Sequence, residues 1–123
     1  MIGVYYFEKK DWKKSLCCYF KALYARSLKL GQDSMGASDC HYNIAIVYKK
    51  LRIPDKSLYH FDKALRIRTL NKGAVSLTVS NVLEQLGKLF IETSQYKEAQ
   101  EYLNQCLQIR KRLLFPDKQL HQH

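Results

Sequence analysis

The stretch Cys40–Leu51, CHYNIAIVYKKL, sets Asn43 inside an apolar run. Tyr48 follows Ile44 by four residues and Leu51 follows Tyr48 by three, so these side chains share one stripe of an α-helix. Asn is a mediocre helix former, because its amide competes for backbone hydrogen bonds. Two readings compete for Asn43: a polar group tolerated at the surface, or a side chain placed to hold something.

The stretch does not stand alone. Its residues recur along the chain at an offset of 42. Trp12, Pro54 and Tyr96 fall in one column, and Tyr6, Tyr48 and Phe90 in another. Ser15, Ser57 and Ala99 are small, and Tyr19, Phe61 and Leu103 are bulky. Ala22, Ala64 and Cys106 are small again, each followed by leucine at 23, 65 and 107. Ala25, Ile67 and Ile109 align, as do Gly3, Ala45 and Gly87. Agreement in size and character across this many columns at one offset marks an internal repeat.

Each repeat reads as two helices, A and B, joined by a tight turn. Leu58, Phe61, Ala64 and Leu65 share a helical stripe with Ser57, and no strand-like alternation persists. The spacing predicts helices over 1–8, 11–30, 35–51, 54–71, 74–93 and 95–114. Pro54 suits the first turn of its helix, where the missing N–H costs nothing. Ser94 suits the N-cap of the last helix. Gly31 and Gly73 suit helix ends between repeats. Repeat one is 1–34, repeat two 35–73 and repeat three 74–115, about two and a half to three units, with a frayed polar tail over 116–123. Arrays of this size need about three units and polar end caps, so the terminal faces are expected to pack against more of an array or a larger complex.

Composition narrows the function. The chain has 123 residues, 46% of them hydrophobic and 26% charged, which fits one folded domain. No apolar run approaches the roughly 20 residues that span a bilayer. The N-terminus lacks the charge order and cleavage site of a signal peptide. Cys17, Cys18, Cys40 and Cys106 form no CxxC, so reduced thiols and a cytoplasmic location are expected, with no metal or other cofactor. The net charge is +10, distributed as +4 over 1–34, +5 over 35–76 and +1 over 77–123. Basic repeats one and two favour an acidic partner. No phosphate-binding glycine loop, GxSxG or HExxH is present, and a non-enzymatic protein is expected.

The repeat resembles the tetratricopeptide repeat. That family places a small residue mid-helix A, an aromatic three residues on, then Ala, aromatic and Ala along helix B. Unit two has Ala45, Tyr48, Ser57, Phe61 and Ala64; unit three has Gly87, Phe90, Ala99, Leu103 and Cys106. Unit one has Gly3, Tyr6, Ser15, Tyr19 and Ala22. The 42-residue period, longer than the usual roughly 34, is similar to kinesin-light-chain and nephrocystin-type repeats. Leu30, Gly31, Asn43, Ile44, Ala45 and Tyr48 match their pattern; the His-Pro pair of their linkers is absent, and Tyr42 replaces the first Asn. The resemblance implies an all-α fold, a helix-turn-helix α-solenoid wound as a right-handed superhelix.

The resemblance also implies a working surface on the A helices. It falls on Asp39, Tyr42, Asn43, Ile46, Lys49 and Lys50 in unit two, and on Asn81, Glu84, Gln85, Lys88, Ile91 and Glu92 in unit three. In unit one it falls on Val4, Phe7 and Glu8. In the kinesin-light-chain-like repeats an Asn at the position of Asn43 holds the backbone of an extended peptide. An amide donates and accepts at once, and Gln85 is the chemically similar equivalent. The expected function is a scaffold for a protein segment. Phe7, Tyr42 and Ile46 would supply contact area, Asn43 and Gln85 hydrogen bonds, and Lys49, Lys50 and Lys88 acidic preference. Arginines at 66, 68, 110 and 112 close B helices and are expected to face outward. His41 is expected to be a packing residue. Two alternatives remain: an architectural subunit packing through its ends, and nucleic-acid binding through the basic repeats.

Overall fold

The computed structural model describes residues 3–4 and 11–116. Among them are the helices α1 (Trp12–Leu30), α2 (Met35–Lys50), α3 (Pro54–Lys72), α4 (Leu77–Glu92) and α5 (Tyr96–Leu114), and no strand. Gly3 and Val4 are also helical. The rest of the expected helix over 1–8, with Phe7 and Glu8, and the tail from 117 lie outside the described residues. The protein is all-α, a helix-turn-helix repeat array.

The period of 42 governs the helix ends themselves. Trp12, Pro54 and Tyr96 each open a helix, and Met35 and Leu77 open the other two. Ser34 and Ser76 cap α2 and α4, their hydroxyls accepting from the backbone N–H of Ala37 (3.1 Å) and Val79 (3.3 Å). Gly31 and Gly73 follow α1 and α3 at φ 95° and 85°, conformations that other residues adopt only at a cost.

The A-to-B turns repeat as closely. The N–H of Arg52 donates to Lys49 O and that of Ile53 to Tyr48 O; Ser94 donates to Ile91 O and Gln95 to Phe90 O. This paired pattern closes a helix with one residue in the left-handed region. Here that residue is Arg52 or Ser94, both at φ 61°. Ser94 therefore closes α4 and does not cap α5; the N-cap is Gln95, which makes no side-chain cap bond. Helix α4 begins at Leu77, not 74, because Gly73 turns the chain and Ser76 stays extended as the cap.

The chain divides into two compact units, Met1–Ile67 and Arg68–His123, with α3 running from the first into the second. In the first, Tyr19, Ile44 and Val47 are buried together, with Trp12, Leu16, Leu23, Tyr48 and Leu51 packed around them. Each such side chain contributes about 1.5–3 kcal/mol when fully buried. Close helix approach is built from the small columns. Ser15 Oγ donates to Gly3 O at 3.1 Å, and Ser57 Oγ makes the same bond one repeat on, to Ala45 O at 2.7 Å. In the second unit, Gly87 faces Leu103 so closely that a Cβ there would lie 2.6 Å from its Cγ and Cδ2.

Candidate functional site

Helix α2 carries two faces. Ala37, Cys40, Ile44, Ala45 and Val47 are buried, at helical spacing. On the other side, Asn43 and Ile46 are half-buried and Lys50 is exposed. Tyr42 and Lys49 are half-buried, and Asp39 is exposed. The Tyr42 ring meets the Phe61 ring edge-on at 5.9 Å, so this side chain also serves the α2–α3 packing. Among the described residues the Asn43 side chain has no hydrogen-bond partner.

Helix α4 repeats this arrangement in the second unit. Val79, Val82, Leu83, Leu86, Gly87 and Leu89 are buried. Gln85 is half-buried, and Lys88 and Ile91 are exposed. Gln85, like Asn43, has no side-chain hydrogen bond among the described residues. Asn81 and Glu84 differ from the expectation that they face a ligand. Both are taken by Arg110 of α5, which donates to Asn81 Oδ1 at 3.0 Å, Glu84 Oε2 at 3.1 Å and Ser80 Oγ at 3.2 Å. The hydrogen bond from Arg110 holds the Glu84 carboxyl below its ordinary range.

The arginines near the ends of the B helices are not outward-facing as a class. Arg68 is buried, and its guanidinium donates to Thr78 O at 3.0 Å. Arg26 donates to Gly36 O at 3.0 Å, the same bond at an offset of 42, and also to Cys40 Sγ at 3.4 Å. Arg26, Arg68 and Arg110 thus form a further column at the repeat period. Two of them tie the end of a B helix to a carbonyl in the first turn of the next A helix. Reading Arg68 and Arg110 as ordinary helix-end charges hid that column.

Behind α2, on the side away from Asn43, lies an aromatic and imidazole cluster. His41 Nδ1 and His60 Nδ1 are 2.9 Å apart, so one donates and the other accepts. The His60 ring stacks on Tyr48 at 5.8 Å and meets Phe20 edge-on at 5.6 Å. Burial pushes the His60 pKa down to about 4, helped by His41 and Lys63. His41 is also lowered, by burial first and then by Lys63 and Arg66. His41 packs as half of a histidine pair.

Among the described residues no three His, Cys, Asp or Glu side chains converge as metal ligands. No described helix is long and apolar enough to cross a membrane.

The architecture is that of a solved array. The crystal structure of BtubC (BKLC) from P. vanneervenii superposes with a TM-score of 0.85 and 23% sequence identity, over 89% of this chain. The matched chain is longer, and this one covers 43% of it. A comparison with curated proteins finds no match. The model of the tetratricopeptide repeat matches residues 41–112, from His41 to the last turn of α5. With more than half of its residues under that match, the chain belongs to the tetratricopeptide repeat family.

Proposed function

We propose that this chain is an interaction scaffold that holds an extended, acidic protein segment against the A-helix face carrying Asn43. The tetratricopeptide repeat fold generally mediates protein–protein interaction. The observation that carries the finer reading is the pair of unspent amides, Asn43 and Gln85. They recur at the repeat period, are half-buried, and make no side-chain hydrogen bond among the described residues. An amide so placed offers a donor and an acceptor to a peptide backbone. Ile46 and Lys50 stand one turn and two turns beyond Asn43 on the same face, giving apolar contact and attraction for a carboxylate. In α4, Lys88 and Ile91 offer the same chemistry beside Gln85.

The test starts from an array of extended peptides that each join an acidic residue to an apolar one. The strongest binder is then measured by calorimetry. Asn43→Ala is expected to weaken it by about 1–2 kcal/mol, with the melting temperature unchanged. Lys50→Gln is expected to weaken it less and to flatten its salt dependence. Affinity unchanged by Asn43→Ala removes this face from the mechanism. Binding that instead follows a polynucleotide and collapses with salt favours nucleic-acid recognition.

A further inference from the structure

A cavity lies on the other side of α2 from Asn43. Position 41 is about 200° around the helix from position 43, at about 100° per residue. A pocket of about 240 Å³ opens here among α1, α2, α3 and the loop after α1. Ser27, Gln32, His41, Tyr59, Lys63 and Arg66 are its polar lining, and Leu23 and Ile67 its apolar lining. These six polar side chains are each of a different chemical type, and none is a carboxylate.

Its charge is incompletely balanced. Arg66 pairs with Asp33 at 2.9 Å, and both side chains are about half exposed. Lys63 has its ammonium over the Tyr59 ring at 5.4 Å and no carboxylate at ion-pair distance among the described residues. Burial is the larger cause that lowers both imidazoles, and the cations beside them add to it: Lys63 and Arg66 at His41, and Lys63, after His41, at His60.

The repeat itself shows that packing does not demand these residues. One period on, the apolar lining is kept: Leu23 becomes Leu65, and Ile67 becomes Ile109. Most of the polar lining is not, although Ser27 becomes Thr69 and keeps a hydroxyl. His41 becomes Leu83, Lys63 becomes Gln105, Arg66 becomes Gln108 and Gln32 becomes Ala74. Array geometry therefore accounts for the leucine and isoleucine, and the packing of the next repeat does without the Lys63 and Arg66 charges.

We propose that this pocket binds a phosphate monoester, with Lys63 and Arg66 as its charged donors and Ser27, Gln32 and Tyr59 as neutral ones. A phosphate offers three acceptor oxygens and close to two charges, which matches a donor-rich lining better than a single carboxylate does. Arg66 is already engaged with one carboxylate, so Asp33 acts as an internal competitor for the incoming anion.

The protein is titrated with inorganic phosphate, N-acetylphosphoserine amide and N-acetylserine amide, followed by amide NMR and calorimetry. Both phosphates are expected to give saturable shifts confined to 23–32, 41 and 59–67, and the unphosphorylated compound none. Tighter binding of the phosphoserine compound assigns the site to a phosphorylated side chain of a partner. Equal binding assigns it to free phosphate. Lys63→Gln with Arg66→Gln installs the residues found one period on, so folding is expected to survive. Affinity is expected to fall about tenfold or more, the loss expected for removing charged hydrogen-bond donors. Asp33→Asn is expected to strengthen binding, and Asn43→Ala to leave it unchanged. Shifts that never saturate, affinity indifferent to the double glutamine variant, or weaker binding by Asp33→Asn would each overturn the proposal.

Discussion

The Ser57 hydroxyl donates to the backbone carbonyl of Ala45 across 2.7 Å, inside the seam where α2 meets α3. Both residues are fully buried. The bond repeats that of Ser15 with Gly3, so it belongs to the repeat and not to one site. Ser57→Ala keeps the small volume and removes the bond; a loss of about 0.5–1.5 kcal/mol is expected in urea denaturation. Ser57→Val adds bulk to a seam without space and is expected to cost about 1–3 kcal/mol more. Equal losses for the two variants would show that the seam is not tightly packed.

Arg52 and Ser94 occupy the left-handed backbone region that closes α2 and α4, both at φ 61°. A side chain there costs energy that glycine avoids. Arg52→Gly and Ser94→Gly are each expected to stabilise the protein by about 0.5–1 kcal/mol, after allowing for the freer unfolded chain. Thermal unfolding of the two variants checks this, and a lowered midpoint would contradict it.

Gly87 and Leu103 meet where α4 crosses α5. Alanine at 87 favours the helix by about 1 kcal/mol over glycine. Its Cβ, however, would sit 2.6 Å from Leu103 Cγ, which is no flexible far end. Gly87→Ala is expected to destabilise by about 1–3 kcal/mol in net terms. Leu103→Ala opens the space, so the double variant is expected to be more stable than the sum of the two losses implies. A double-mutant cycle with no coupling would mean that α5 shifts freely.

The histidine pair makes stability depend on pH in a definite direction. His60 has its pKa lowered to about 4, and His41 is lowered too, against about 6.5 in an unfolded chain. Between these values the unfolded chain binds more protons than the folded one. Stability is therefore full above about pH 6.5 and falls as pH drops toward 4. His60→Tyr is expected to flatten this fall. It installs the residue of position 102, whose ring stacks on Phe90 at 5.4 Å as His60 stacks on Tyr48. Denaturation at pH 7, 6 and 5 checks the slope; an unchanged slope in His60→Tyr would assign it to other groups.

The helices were legible because their signals are local. Side-chain volume recurs every 42 residues, and glycine at 31 and 73 marks the turns. Where a boundary was missed, the signal was ambiguous. Ser94 precedes a helix and follows one, and only the backbone hydrogen bonds show that it belongs to the earlier one. The serines at 34 and 76 sit at the same period and are caps, a pattern available to the same search.

The face of α2 was legible to the same extent, since helical spacing separates Asn43 from Ile44 and Val47. What those side chains do with their neighbours was not. Asn81 and Glu84 stand on the expected face of α4, yet Arg110 reaches them from 26 or more residues away. Nothing in their own spacing announces that reach.

By itself the sequence determined the class of fold, the period, the helix pair of repeats two and three and the family resemblance. These follow from side-chain size and backbone preference, which act over a few residues and repeat. Only the tertiary structure decided which polar groups are spent and which remain. It paired His41 with His60, buried Arg68, gave Asn81 and Glu84 to Arg110, and left Asn43 and Gln85 without side-chain bonds among the described residues. The physical reason is reach. Arginine and histidine side chains find partners on other helices, and helix rotation, set by the close packing of the small columns, chooses those partners.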